Sequence, residues 1–372
     1  MRKTLVLIHR YAGLVLGLFL LVSGLTGSVI VFSKAIDSYL NPQLLVVTPQ
    51  PNRVALDAVL LQARQLVPDQ KPATMYLPRK PGDTVEVIFQ PGNTRVYVDP
   101  HNGEVLGSRH PNDSLTGFLI DLHVHLLYGK TGETVQGWVG LSAVVLSLLG
   151  IVLWWPKAGK WRQALSIKWS AGAYRVWFDV HRVLGAIVAA FIVLTALTGS
   201  ALALFDKLTE PLLIAATGKG ARQPAPKSSP GRTDRAPLDT MLASASAIFP
   251  DAEITRITLP AKPDAAVGVR MRLPGEIHQF GRSFVWFDQY DGRVLRVDNA
   301  LTANLAVKIQ SWLFPLHTGV YGGLPTRWLQ VLVGLSLSLL CVSGGWLWIK
   351  RSLSRTRANA QRVTAAGAHG TR

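Results

Sequence analysis

LIHRYAGLVLGLFLLVSGLTGS, Leu7 to Ser28, returns later in the chain as DVHRVLGAIVAAFIVLTALTGS, Asp179 to Ser200. His9, Arg10, Gly13, Thr26, Gly27 and Ser28 recur, 172 residues on, as His181, Arg182, Gly185, Thr198, Gly199 and Ser200. On a helix of about 3.6 residues per turn, positions 9, 13, 17, 20, 24 and 27 share one face. In both copies that face begins with His and continues mostly through Gly and Ala. Small residues at this spacing let membrane helices approach closely, and for one unrepeated His such packing is the simpler account. Two like histidines at one depth are what a bis-imidazole metal site needs, with small neighbours leaving room for a flat macrocycle such as haem.

Four stretches carry no charge: Tyr11 to Ser33, Thr134 to Pro156, Val183 to Phe205 and Trp328 to Ile349. Each can cross a hydrocarbon core of about 30 Å, so the chain is expected to span a membrane four times. The first stretch is longer than a signal-peptide core and its LTGS end recurs mid-chain, so it reads as a retained span. The formal charge is +17. The N-terminal residues, the loop from Lys157 to Arg182 and the tail from Lys350 hold 15 of the 39 Lys and Arg and one acid, Asp179. By the positive-inside rule these segments and both termini are cytoplasmic. The basic excess then reflects topology and anionic lipid headgroups, with no nucleic acid implied. One cysteine, Cys341, excludes an intrachain disulfide and a thiolate cluster held by this chain alone.

The segments between spans also repeat. Val54 to Val67 has helical apolar spacing and stops at Pro68. Ala73 to Leu77, Thr84 to Gln90 and Arg95 to Val98 read as strands, closed by the hairpin YVDPHNGEVLG, Tyr97 to Gly107. Leu56-Asp57, Val67-Pro68-Asp69 and Leu77-Pro78 return as Leu238-Asp239, Phe249-Pro250-Asp251 and Leu259-Pro260, and the hairpin returns as WFDQYDGRVLR, Trp286 to Arg296. Each module leads into a His-bearing segment, GFLIDLHVHLLYG (Gly117 to Gly129) or SWLFPLHTGVYG (Ser311 to Gly322). The spans that follow end in GIVLWWPK from Gly150 and GGWLWIKR from Gly344. His123 aligns with His317, which leaves His125 as runner-up to His123.

The expected architecture is a membrane α-helical protein of two tandem, pseudo-twofold halves carrying two α+β extracytoplasmic modules. In chain order these are a first span (1–33), a module (34–113), a His-bearing segment and second span (114–156) and a basic loop (157–178). A third span (179–205), a linker with the second module (206–300), a His-bearing segment and fourth span (301–349) and a basic tail (350–372) follow. Thr217 to Pro237 reads as a mobile linker. The tail after Ser352 reads as disordered, which sets His369 aside.

The symmetry pairs His9 with His181 near the cytoplasm and His123 with His317 near the outer face, giving two expected haem b sites. Zinc would want four ligands including thiolate or carboxylate, and neither HExxH nor CxxCH is present. Arg10 and Arg182 are candidates to pair with haem propionates. Two redox centres at opposite faces describe a transmembrane electron conduit. Because the chain has no nucleotide or flavin motif, the first donor is external, a quinol or a cytoplasmic reductase.

The LHR-like starts of the odd spans, their LTG exits, the DLH and PLH segments and the LWWPK end resemble the PepSY-associated transmembrane proteins. The two modules, with VYVDPxxGEVL-type hairpins, resemble PepSY domains. The second departs from that pattern, with Gln289-Tyr290 where the first has Pro100-His101. The resemblance implies a bacterial inner-membrane protein of iron uptake, similar to haem-containing ferric-siderophore reductases. It would reduce a periplasmic Fe(III)–siderophore and release Fe(II). Arg270, Arg272 and Arg282 are weaker candidates for docking such a chelate, since they also fit a solvated strand face. Two other readings stand beside this one: a haem-free PepSY interaction or regulatory protein, and a di-haem reductase of another periplasmic acceptor.

Overall fold

The computed structural model describes residues 1–229 and 234–369. From the N-terminus, α1 (Arg2–Ile30) is followed by α2 (Ser33–Leu40), α3 (Pro42–Leu45) and α4 (Leu56–Leu66). Four strands come next, β1 (Lys71–Tyr76), β2 (Val85–Gln90), β3 (Thr94–Val98) and β4 (Val105–Arg109), then α5 (Leu115–His125) and α6 (Gly129–Trp154). The second half runs through α7 (Trp161–Ala164), α8 (Ala173–Ala203), α9 (Glu210–Thr217) and α10 (Leu238–Ile248). It closes with β5 (Glu253–Thr258), β6 (Val267–Arg272), β7 (Ser283–Phe287), β8 (Val294–Asp298), α11 (Leu305–Thr318) and α12 (Gly323–His369).

These elements form two units. The helical unit holds residues 1–31, 123–204 and 324–369, and with them α1, α6, α8 and α12. All four helices are long and apolar enough to cross a membrane. They meet where small residues stand opposite one another. A Cβ on Gly24 would lie 2.5 Å from Ser338 Oγ and 2.6 Å from the Gly334 carbonyl, so α1 and α12 touch backbone to backbone. Ser28 hydroxyl donates to the Gly24 carbonyl at 2.7 Å and reaches the Val331 carbonyl at 3.1 Å. Gly140 on α6 makes the matching close contact with Ser200 on α8. Gln136 donates to Ser23 at 2.6 Å, as Gln330 donates to Thr195 at 3.1 Å. Gly13 rests on Leu146, and Gly185 on Leu340. Contact after contact has a counterpart shifted by 172 residues on α1 and α8 and by 194 on α6 and α12.

The second unit, Phe32–Leu122 with Phe205–Gly323, is built on one eight-stranded antiparallel sheet, ordered β4-β3-β2-β1-β5-β6-β7-β8. Each half of this order is a meander, and the two meet where β1 pairs with β5, Thr74 to Thr258 and Tyr76 to Arg256. The modules expected from the sequence therefore share one sheet. Left apart, β1 and β5 would each present an open edge, and their pairing removes both. On one face α4 and α10 supply Val59, Ala63, Met241 and Ala245 to a core with Met75, Val87, Ile257 and Val269. The two helices cap each other, since Leu56 N–H donates to Asp239 and Leu238 N–H donates to Asp57, both at 2.9 Å.

Two expectations are corrected. The stretch read as a mobile linker is tied to the sheet at Ser228, which is buried. Ser228 N–H donates to the Asp264 carbonyl at 3.0 Å, and its hydroxyl accepts from Gln289 N–H at 2.9 Å. Residues 230–233 of that stretch lie outside the described residues. The tail is helical, because α12 continues without interruption to His369. Its Ala, Arg and Gln are good helix formers, and they extend a helix already nucleated in the span.

Candidate functional site

His9 and His181 face each other inside the helical unit, with ring centroids 6.4 Å apart and planes at 82°. Metal–imidazole bonds of about 2.0–2.1 Å, with about 1.1 Å from each nitrogen to its ring centre, place two trans ligands about 6.3 Å apart. The pair thus has the span of two axial imidazoles on one metal. Each ring lies against a glycine. A Cβ on Gly150 would fall 3.2 Å from His9 Cε1, and one on Gly344 would fall 3.3 Å from His181 Cε1. These are the glycines that open the two Trp-rich span exits.

The hydrogen bonding around His181 suits the Nδ1–H tautomer. Ser343 is fully buried, and its hydroxyl donates to the Leu340 carbonyl at 3.1 Å. Its oxygen can then accept from His181 Nδ1–H at 2.9 Å, which leaves Nε2 as the metal-binding lone pair. His9 has Leu149 at the place matching Ser343. Among the described residues its buried Nδ1 finds no hydrogen-bond partner. Among the described residues no three His, Cys, Asp or Glu side chains cluster as a metal site. A pair at this spacing supplies two imidazole donors and no more, the number that haem iron takes from a protein at a bis-histidine site.

The two arginines that follow these histidines differ. Arg182 lies 3.0 Å from Asp179, which is fully buried and is also held by Arg175 at 3.0 Å. It also donates to the Ser166 carbonyl at 3.0 Å. Arg182, a candidate for a propionate, is thus engaged by a carboxylate of the chain itself. Leu7 stands where Asp179 would be in the first copy. Arg10 is half-buried and forms no ion pair among the described residues, so it keeps that role open.

His123, near the end of α5, has a similar seat. Thr26 hydroxyl donates to the Val22 carbonyl at 2.7 Å, so it can accept from His123 Nδ1–H at 3.0 Å. A Cβ on Gly27 would lie 2.9 Å from His123 Cε1. The LTGS exit of the first span is therefore a seat for the His123 imidazole. After His125 the chain turns into α6 through Leu126 and Leu127, both left-handed at φ 50° and 60°. His317 occupies the last turn of α11, which ends at Gly319 with φ 74°.

In the sheet unit Arg270, expected on a solvated face, is buried. Burial and the neighbouring Arg256 and Arg282 push its guanidinium down to about 9. Burial, then Arg256, bring Arg282 to about 10. His278 is buried beside them, and burial with Arg270 and Arg282 lowers it to about 3. The departure at Pro100-His101 is also accounted for. His101 is buried and lies 2.8 Å from the Asn52 carbonyl, whereas its counterpart Tyr290 donates through its hydroxyl to the Pro263 carbonyl at 2.8 Å, and Gln289, in place of Pro100, is buried and donates to the Ala265 carbonyl.

The four apolar helices define a multi-pass membrane protein with a facing histidine pair inside its bundle. The family described as the PepSY-associated TM region matches residues 6–351, and the chain belongs to that family. It is also similar to uncharacterized protein PA4219 of Pseudomonas aeruginosa, 26% identical over 268 residues. That match covers 65% of this chain and 65% of the relative, just under two thirds of its length.

Proposed function

We propose that this protein is an inner-membrane electron conduit that holds two haem b groups and reduces a periplasmic Fe(III)–siderophore, releasing Fe(II). The observation that carries the reading is the His9–His181 pair, at 6.4 Å and backed by Gly150 and Gly344. The helix contacts that recur at constant offsets support two tandem pseudo-twofold halves, each with two spans and a PepSY-like module. In this reading both termini are cytoplasmic, so the His9–His181 pair lies toward the cytoplasm. The second haem is assigned to His123 and His317 on the sequence repeat.

Bound haem supplies one-electron chemistry at a potential tuned by its ligands and their partners. In this reading His9 and His181 would hold the iron. Ser343 fixes the orientation of His181, and Arg10 stands ready for a propionate. An external donor, quinol or a cytoplasmic reductase, supplies the electrons. One electron converts the chelated Fe(III) into Fe(II), which hard oxygen donors hold less tightly. The test is to reduce the purified protein anaerobically and mix it with ferric siderophores. Haem reoxidation with matching capture of Fe(II) by ferrozine is expected. A di-haem protein that no ferric chelate reoxidises would refute the acceptor.

A further inference from the structure

Three arginines gather on one face of the sheet, where buried Glu276 is the acid whose charge acts on Arg270 and Arg282. Arg256 on β5 and Arg270 on β6 are direct cross-strand partners, and the row continues to Tyr76 on β1 and Phe284 on β7. Like charges opposite each other in an antiparallel pair are destabilising. The nearby carboxylates are committed elsewhere. Glu253 pairs with Arg79 at 2.6 Å, and buried Glu276 accepts from Leu273 N–H, Arg282 N–H and the Ser283 hydroxyl. Among the described residues Arg256, Arg270 and Arg282 form no ion pair. Arg270 donates to the Gly281 carbonyl and lies near His278 Nδ1. Arg256 reaches Tyr76 hydroxyl at 3.3 Å and keeps a buried Nε–H without a partner. The rings of Tyr76 and Phe284, 5.8 and 5.6 Å from the two guanidiniums, ease the burial of charge without neutralising it.

The cluster lies against α11. Arg282 donates to Gln310 Oε1, and the His278 ring is 5.5 Å from that of Phe314. Gln310, Phe314 and His317 follow at i, i+4 and i+7, one face of the helix. Phe314 and His317 are about 4.5 Å apart along its axis.

We propose that Arg256, Arg270 and Arg282 form a binding site for a carboxylate-bearing anion on the face of α11 that carries His317. Planar guanidiniums suit carboxylates, and an anion removes the repulsion between Arg256 and Arg270. The proposal rests on the function above only for the source of the carboxylate. It comes either from the propionates of a haem held by His317 or from the ferric chelate that accepts electrons.

The experiment uses the full chain in detergent and two readouts. One is affinity for gallium(III) citrate, an anionic chelate that takes no electron; the other is haem content and midpoint potential. The variants are R256Q and R282Q, with R282K as the charge-keeping rescue and R235Q, at an exposed arginine elsewhere on the unit, as control. Arg270 is left intact because it is buried, and thermal melting checks each variant. A loss of about tenfold or more in gallium citrate affinity in R256Q or R282Q, absent in R235Q and restored in R282K, supports the site with the chelate as ligand. Unchanged gallium binding with haem lost or shifted in potential supports the site with propionate as ligand. Variants that match the wild type in both readouts overturn the proposal. A haem-free wild type that still binds gallium citrate through these arginines removes the reductase reading and leaves the site standing.

Discussion

Replacing Gly344 by valine tests the seat of His181. A Cβ at Gly344 lies 3.3 Å from His181 Cε1 and 3.8 Å from Nδ1. The first distance is shorter than the optimum of about 3.5–4.0 Å for carbon contacts, and the two further methyls of valine add to the crowding. Overpacking of this kind costs about 1–3 kcal/mol, or roughly 5- to 150-fold in retention of a haem that His181 must hold in one orientation. Gly345 supplies the control on the adjacent residue, since nothing lies within 4 Å of its Cβ position. G345V should keep the wild-type haem content. The assay is transfer of haem from the purified protein to excess apomyoglobin, followed optically. Equal retention in G344V and wild type, or equal loss in G344V and G345V, would refute the reasoning.

Removing the Ser343 hydroxyl should weaken haem binding about tenfold and raise the midpoint of that haem, because His181 loses the acceptor that enriches it in electron density. A redox titration of S343A that matches the wild type contradicts this. Burial beside Arg270 and Arg282 keeps His278 neutral in the folded sheet down to about pH 3, whereas the unfolded chain takes up its proton near 6.5. The unfolded state then binds more protons between those values, so stability falls as pH drops below 6.5, by about 2 kcal/mol at pH 5. H278Q should lose less melting temperature than the wild type between pH 7 and pH 5, and parallel losses would count against it. D57A removes the acceptor for Leu238 N–H and should cost about 1 kcal/mol, read as a lower melting temperature. An unchanged melt would show that the reciprocal caps do not hold α4 and α10 together.

Much of the architecture is legible because it is written locally. Charge-free runs mark the spans, and period-two alternation marks strands such as Val85–Gln90. The 172-residue repeat alone marks His9 and His181 as equivalent positions. What escapes the sequence depends on partners far along the chain. The β1–β5 pairing joins Tyr76 to Arg256, and no local pattern announces it. Arg270 reads as an outward strand residue, yet the β6–β7 loop covers it, so it is buried. Ser343 has no counterpart in the first half, and the repeat that exposes the histidines passes over it. Gly150 and Gly344 are visible as repeated span exits, but only the folded bundle brings each against an imidazole.

The optical spectrum of the detergent-purified protein, oxidised and reduced and with haem quantified per chain, tests the central claim most directly. Two b-type haems with low-spin bis-histidine bands are expected, and replacing either His9 or His181 by alanine should remove one of them. A colourless protein from haem-replete cells, or well-folded variants at both positions that retain two haems, would contradict the account.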